Sequence, residues 1–271
     1  MLHQRTTGLT PQQFTTLLTT LTAHITWAKP GGRPPALTLA QGLKVTLFYH
    51  RHNLTEELLA EIFNTSQPTI SRTLNTVEKA LEKALRPLEQ SIENSLKIPG
   101  SLVIDGTLIP TWNWRSLGKI NFSGQHKRAG FNHQVICTLG GKLLAITDPV
   151  PGARHDAYAF KHHGLERYLD ESTLADKGYI GLGLATPVRG SKARRMPADV
   201  KVVNRFINSR RSVVERVIAQ VKTWRVLHTG FRRPLSVYGR VFAVVRGLVF
   251  YAAGRTFESA SLAQLACVRG Q

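Results

Sequence analysis

The chain is poor in cysteine, poor in acid and short of long apolar runs. Its 271 residues hold two cysteines, Cys137 and Cys267, far apart and forming no CxxC. That argues against a disulfide framework or a thiolate zinc site and fits a reducing compartment. The opening MLHQRTTGLT has no apolar signal core. The longest apolar stretch, 241–254, is interrupted by Arg246 and is too short to span a bilayer. It predicts a buried helix, no membrane partner and a cytoplasmic protein. No internal repeat is visible. Acids number 17 against 36 Lys and Arg, a formal charge of +19. Such an excess costs self-repulsion and points to a polyanionic partner, with a membrane surface or an acidic protein as alternatives. The charge is also clustered. Residues 1–100 carry ten Lys or Arg and seven Asp or Glu, a net +3, whereas 101–271 carry 26 and ten, a net +16. Nucleic-acid binding by the second part should therefore be strongly salt-dependent.

Apolar periodicity divides the chain at the Pro99–Gly100 break. Before it the pattern is helical. Phe14, Leu17, Leu18 and Leu21 mark a helix within 10–28, KPGGRPP is loop, and a second helix covers 38–52. Residues 54–85 then read as a helix-turn-helix. Leu54, Leu58, Leu59, Ile62 and Phe63 give the first helix, 64–65 the turn, and Ser66 the cap of the second, with Pro68 in its first turn. Ile70, Leu74, Val77 and Leu81 form the buried face of that second helix. Gln67, Thr69, Ser71, Arg72 and Asn75 remain exposed near its start, hydrogen-bonding side chains suited to base edges and phosphates in a major groove. A plain helical hairpin is the alternative. After residue 99 the pattern turns to strands: 101–104, a hairpin of 131–139 and 142–146 turning at Gly140 and Gly141, a strand to about Ala175, and another over 184–188. A helix can begin near His155, and a long one spans about 209–226. Strands with interleaved helices predict an α/β domain over 99–271, behind an all-α region over 1–98.

The carboxylates carry the chemistry. Asp105 follows an apolar strand in LVIDGT, and Asp176 another in TLADKGY. Each alone is also an ordinary turn former. Glu215 is more telling. Between Arg189 and Arg233 there are 13 Lys or Arg and only two acids, Asp199 and Glu215. The helix around it has its apolar stripe at Val213, Val214, Val217, Ile218, Val221 and Trp224, with Glu215 beside it on the flank of Arg211 and Lys222. A pair with Arg211 is the alternative, in the weaker order on a helix. Three carboxylates from two strands and a helix suit Mg²⁺, with Mn²⁺ as a substitute. Two ions can activate an attacking oxygen and stabilise a leaving one at a phosphate.

VIDGT, GARHD, LADKGY and RRSVVERVIAQVKTWRVL, in that order, resemble the DDE transposases of the insertion-sequence-five and Harbinger-like superfamily. The resemblance covers nearly the whole chain, and its specificity lies in the ordered set rather than in any one piece. It implies an RNase H-like catalytic domain, a mixed sheet with flanking helices, and a catalytic triad at Asp105, Asp176 and Glu215. It also implies divalent metal, DNA strand cleavage and transfer, and double-stranded DNA partners in the element's terminal inverted repeats and the target. A homodimer or higher oligomer on DNA is implied as well. His155 and Asp156 recur in the family's pattern outside the triad. Capping of the following helix or support of the site is the reading preferred for Asp156, over metal ligation.

Lysines and arginines at 127, 128, 194 and 195 (Lys127, Arg128, Arg194 and Arg195) are the best candidates for phosphate contacts. Trp112 and Trp114 could stack on bases, packing beneath a loop being the ordinary role. His50 and His52 form an H-x-H, but at this spacing on a helix the side chains point apart. His162 and His163 read as a helix end. Three functions compete: a transposase, a transposase-derived DNA-binding regulator that no longer cuts, and an RNase H-like nuclease that hydrolyses without joining. In a prokaryote the first would be nucleoid-associated.

Overall fold

The computed structural model describes residues 2–28, 30–112, 119–190 and 197–257. Arg194, Arg195, Trp114 and Cys267, singled out above, lie outside them. The chain forms two compact units. One takes the chain up to Gln90, then Thr223–Thr229 and the stretch from Arg233 onward; the other takes Ser91–Lys222 and Gly230–Arg232. The C-terminal apolar stretch packs with the N-terminal helices.

Among the described residues, the first unit is all helical. A short α1 (Leu2–Thr7) precedes α2 (Pro11–Thr22), and α3 (Leu39–His52) follows the Pro/Gly loop. Thr10 and Thr38 each close a capping box, with Gln13 and Gln41 reaching back to the cap nitrogen. Asn53, at φ 52°, ends α3 in the left-handed conformation that asparagine tolerates. Next come α4 (Glu56–Ile62), capped by Thr55, and α5 (Gln67–Leu85). The turn between them passes through Asn64 at φ 48°. Ile70, Leu74, Val77 and Leu81 are fully buried, as their spacing requires. The apolar stripe of α4 is narrower than its sequence suggests: Leu59 is buried, but Leu58 and Ile62 are 47% and 52% exposed. The last helix among the described residues, α9 (Tyr238–Ala252), packs on α5. A Cβ at Gly247 would stand 2.7 Å from that of Leu85, so glycine allows the close approach. The stretch Leu235–Ala252 has the length and composition of a membrane span, yet more than half of it is buried against this unit.

The second unit holds the sheet. It opens with α6 (Ile92–Leu96). The strands are β1 (Leu102–Pro110), β2 (Phe122–Ser123), β3 (Arg128–Thr138), β4 (Leu143–Ile146) and β5 (Val150–Pro151), and the two larger helices are α7 (Asp156–His162) and α8 (Ala198–Val221). β3 is central and antiparallel to its partners, with Asp105 opposite Val135 and Ile104 opposite Ile136. Beyond β1 the chain returns in the parallel direction at Leu174, which bridges Val103 on one side and Ala185 on the other. This mixed sheet with flanking helices is the architecture expected of the catalytic domain.

Several elements differ from their sequence-based boundaries. Asp105 lies within a nine-residue strand rather than at its end. The strands expected before Ala175 and over 184–188 shrink to single bridges at Leu174 and Ala185. α8 starts at Ala198, well before 209, and ends at Val221. Its first turns carry exposed Val202, Val203 and Phe206, so no buried apolar stripe announces them.

Side chains alternate along β1. Leu102 and Ile104 join Ile136, Leu144, Phe160 and Tyr179 in one core cluster. Val103 and Asp105 take the other face; α8 packs on β1 and β3, with its Val213, Val214 and Val217 buried. The outer edge of β1 is engaged at both ends, by Leu174 beside Ile104 and by Phe231 beside Pro110 and Trp112. Asp105 stands where that edge opens.

Candidate active site and DNA-reading surface

A cavity of about 360 Å³ opens at this point. Asp105, Gly106, His126, Asn132, Asp156, Asp176 and Arg211 are among the residues that line it. Asp105 reaches it from β1. Its Oδ1 accepts from the Gly106 backbone nitrogen at 3.0 Å, and its Oδ2 accepts from Arg211 of α8 at 2.9 Å. Burial pushes the Asp105 carboxyl up to about 6. Arg211 opposes that shift, and the nearby Asp176 and Asp156 add to it. Asp176 caps the short turn Lys177–Tyr179 by accepting from the Gly178 nitrogen at 2.7 Å. Asp105 and Asp176, predicted together from sequence, thus line one cavity.

Glu215 does not line it. Its side chain is 66% exposed on α8, with its carboxylate 3.9 Å from Arg211. The arginine therefore stands between Glu215 and Asp105, and the helix pairing set aside above is present, loosely. His155 occupies the cap position of α7 without a side-chain cap bond, and it is exposed. Asp156 does not cap the helix either. It is the first helical residue, and its Oδ1 accepts from Asn132 Nδ2 at 2.9 Å and from Gln134 Nε2 at 3.4 Å.

Sequence reasoning overlooked Arg211 as the partner of Asp105, and it overlooked the amides behind Asp156. Asn132, His133 and Gln134 are consecutive buried polar residues in the middle of β3. Polar groups in a central strand must be hydrogen-bonded, which is a signal for a buried network. Gln134 also accepts from the Tyr179 hydroxyl, and His133 Nδ1 pairs with the Thr147 carbonyl at 2.9 Å. Cys137 is buried, and burial with the Asp105 charge pushes its thiol up to about 12, which leaves it inert at neutral pH.

The helix-turn-helix residues are unequal. Arg72 and Asn75 are exposed, while Gln67, Thr69 and Ser71 are half-buried. Gln67 donates to Glu56 at 2.5 Å, Thr69 meets Ser66 at 2.9 Å, and Asn75 accepts from Arg233 at 3.3 Å. Ser66 precedes α5 without a side-chain cap bond. In the other unit, Lys127 takes a left-handed turn at φ 53° and Arg128 opens β3, both exposed. Trp112 is 68% exposed rather than packed beneath a loop, with the Arg232 guanidinium 5.7 Å from its ring centre. His50 is buried and His52 bonds the Thr6 carbonyl, so the two histidines do diverge.

Residues 104–249 match the family described as DDE superfamily endonuclease, and residues 35–87 match the helix-turn-helix of DDE superfamily endonuclease. The chain belongs to the DDE superfamily. It is 31% identical over 223 residues to the protein assigned as transposase for insertion sequence element IS112 of Streptomyces albus G, covering 81% of this chain and 83% of that one. It is 23% identical over 256 residues to that assigned as transposase for insertion sequence element IS702 of Microchaete diplosiphon, covering 92% and 93%. No solved structure matches it significantly. This DDE transposase thus joins a metal-dependent endonuclease domain to a DNA-binding helix-turn-helix.

The superfamily uses divalent metal, and the residues at the cavity fit a hard cation. Their donors are carboxylate oxygens. Glycines at 106 and 178 give the carboxylates room: a Cβ at Gly106 would come within 1.9 Å of Asp156 Oδ1, and one at Gly178 within 2.9 Å of Asp176 Oδ1. As the side chains stand, no three His, Cys, Asp or Glu among the described residues are drawn together closely enough to hold an ion. Arg211 supplies the positive charge that Asp105 faces.

Proposed function

We propose that Asp105, Asp176 and Glu215 are the catalytic carboxylates of this transposase, with Mg²⁺ (or Mn²⁺) as a pair of ions. The observation that carries the reading is that Asp105 and Asp176, distant in sequence, line one cavity with Arg211. Glu215 joins through Arg211, one helical turn away on α8. When bound, such ions activate the attacking oxygen and stabilise the leaving one in an in-line phosphoryl displacement. Arg211 orients Asp105, and its transfer toward Glu215 would free Asp105 Oδ2 for metal. Lys127, Arg128, Arg194 and Arg195 hold the DNA backbone. Gln67, Thr69, Ser71, Arg72 and Asn75 address the terminal inverted repeats. Water cleaves the phosphodiester at the element end, leaving a 3′-hydroxyl and a 5′-phosphate; that 3′-hydroxyl then attacks a target phosphodiester and displaces its 3′-oxygen, within a homodimer or larger assembly. The motif order supports assignment to the insertion-sequence-five and Harbinger-like branch, and DNA binding supports a nucleoid location, within the cytoplasm, in a bacterium.

The test is cleavage of a duplex containing an element end, with Mg²⁺ or Mn²⁺, by Asp176→Asn and Glu215→Gln proteins whose melting curves match wild type. Each should lose strand cleavage and keep DNA binding, and combining the two should add little, because residues acting as a unit are not additive. Normal cleavage by well-folded Glu215→Gln removes Glu215 from the set.

A further inference from the structure

Asp156 is the carboxylate at the cavity that the triad leaves without a task. Its position is defined from three sides. The first is β1: Gly106, next to Asp105, would direct a Cβ to within 1.9 Å of Asp156 Oδ1 and 2.5 Å of its Cγ, so the carboxylate occupies the space a side chain would fill. The second is β3, where the neutral amides of Asn132 and Gln134 both donate to Oδ1. Gln134 is itself fully buried and tied to Tyr179, so this side of Asp156 is rigid. The third is the turn after Asp176. A Cβ built on Gly178 would lie 3.7 Å from Asp156 Oδ2 and 2.9 Å from Asp176 Oδ1. The two oxygens therefore converge on the same glycine.

Helix capping does not account for this arrangement, since His155 occupies the cap position and Asp156 bonds to β3 instead. Asp156 lines one cavity with Asp105 and Asp176, and like charges gathered in one place favour a shared cation. Fixing one oxygen with amides while presenting the other is how outer-shell groups orient a metal-ligating carboxylate. We infer that Asp156 is a further metal ligand of this site, its Oδ2 sharing a divalent cation with Asp176, while Asn132 and Gln134 position it. The inference rests on the proposed carboxylate site.

Thiolate substitution followed by Cd²⁺ tests both levels separately. Thiolate is a strong ligand for soft metals, and its bond to Cd²⁺ absorbs in the near ultraviolet. Asp156→Cys, Asp176→Cys and, as an exposed control outside the cavity, Glu171→Cys are titrated with Cd²⁺ against wild type, which corrects for Cys137 and Cys267. The expected result is a band saturating at one new thiolate per chain for the first two variants and none for the control. A band for Asp176→Cys but not for Asp156→Cys, or one equally strong for Glu171→Cys, overturns the assignment of Asp156 and leaves the site standing. No band at either cavity position overturns the site itself. Two measurements do not depend on the cysteine variants folding. Asp156→Asn, which keeps an acceptor for Asn132, should weaken Mn²⁺ binding about tenfold or more in titration calorimetry. In wild-type protein, Fe²⁺-driven hydroxyl-radical cleavage should cut the backbone around 156 as well as around 105 and 176. Unchanged Mn²⁺ affinity, or cuts that spare 156, overturns the inference.

Discussion

Removing the charge of Asp105 should make the metal-free protein more stable at neutral pH while abolishing its chemistry. Asp105 has its carboxyl pushed up from 3.8 to about 6 in the folded state, mainly by burial, even with Arg211 at 2.9 Å. A carboxyl raised on folding binds its proton more tightly in the native chain than in the unfolded one. Its contribution to stability is therefore fully present below about pH 4 and is lost as pH rises through about 6. The difference is about 2 units, and at about 1.4 kcal/mol each the ionised Asp105 costs about 3 kcal/mol at most above pH 6. Its side chain is only 19% exposed, so solvent screening removes little of this. Asparagine imitates the neutral carboxyl, keeps an oxygen for Arg211 and does not titrate. The melting temperature of Asp105→Asn should thus match wild type near pH 4 and exceed it by roughly 5 to 10 °C near pH 8. The assay is thermal melting in EDTA across that range, followed by Mn²⁺ addition, which should raise the wild-type melting temperature more than the variant's. An Asp105→Asn protein less stable than wild type near pH 8, or an offset that does not grow with pH, would refute the reasoning.

Arg72→Ala should weaken binding to an element end by about 1–3 kcal/mol and random DNA much less, because Arg72 is exposed at the start of α5. Gln67→Ala should cost less, since its amide already serves Glu56; gel-shift titration on both DNAs checks the pair, and equal losses on both would reduce α5 to a packing element. Lys127→Ala with Arg128→Ala should lower affinity on every sequence and flatten the slope of log K against log salt by about 0.9 for each phosphate no longer neutralised. An unchanged slope would place those two cations away from phosphate.

The legibility of the chain followed its packing. Capped and amphipathic helices were readable because each positional rule had one strong occupant: Thr38 with Gln41, or Ile70, Leu74, Val77 and Leu81. The hairpin turning at Gly140 and Gly141 was equally plain, apart from its early start at Arg128. Asp105 and Asp176 stand out in the sequence because each follows an apolar run. What stayed hidden depends on long-range geometry. The bridges at Leu174 and Ala185 look like strands in sequence, but each engages only a single residue of its neighbour. Arg211 looked like a partner for Glu215 on one helix, and only the packing of α8 on β1 brings it to Asp105. Asp156 invited a capping assignment because the cap position lies one residue away, and its true partners are 22 and 24 positions back in β3.

The same distinction applies to the helix-turn-helix, whose sequence signature ends at residue 85 although its stabilising interactions do not. Glu78, on α5, is fully buried and accepts from Arg233 at 2.5 Å, with the His50 ring nitrogen 3.4 Å away. Burial and the charge of Arg233 push His50 down to about 3, so it stays neutral, and the positive charge facing Glu78 comes from Arg233, with a further contribution from Arg240. Glu89 pairs with Arg246, and Leu85 meets the backbone of α9 at Gly247. A fragment of residues 1–98 would keep every element of the motif and lose Arg233, Arg246 and α9 together. Breaking a buried ion pair by removing one partner costs about 3–5 kcal/mol, before the exposed face of α5 is counted. That is a large part of what a domain of this size has. The fragment should therefore show weak helical circular dichroism, no cooperative melt and dye binding to exposed apolar surface, whereas full-length Arg233→Ala should remain folded with a lowered melting temperature. A cooperatively melting 1–98 fragment would show that the motif stands without the C-terminal helix and that the Glu78–Arg233 pair contributes little.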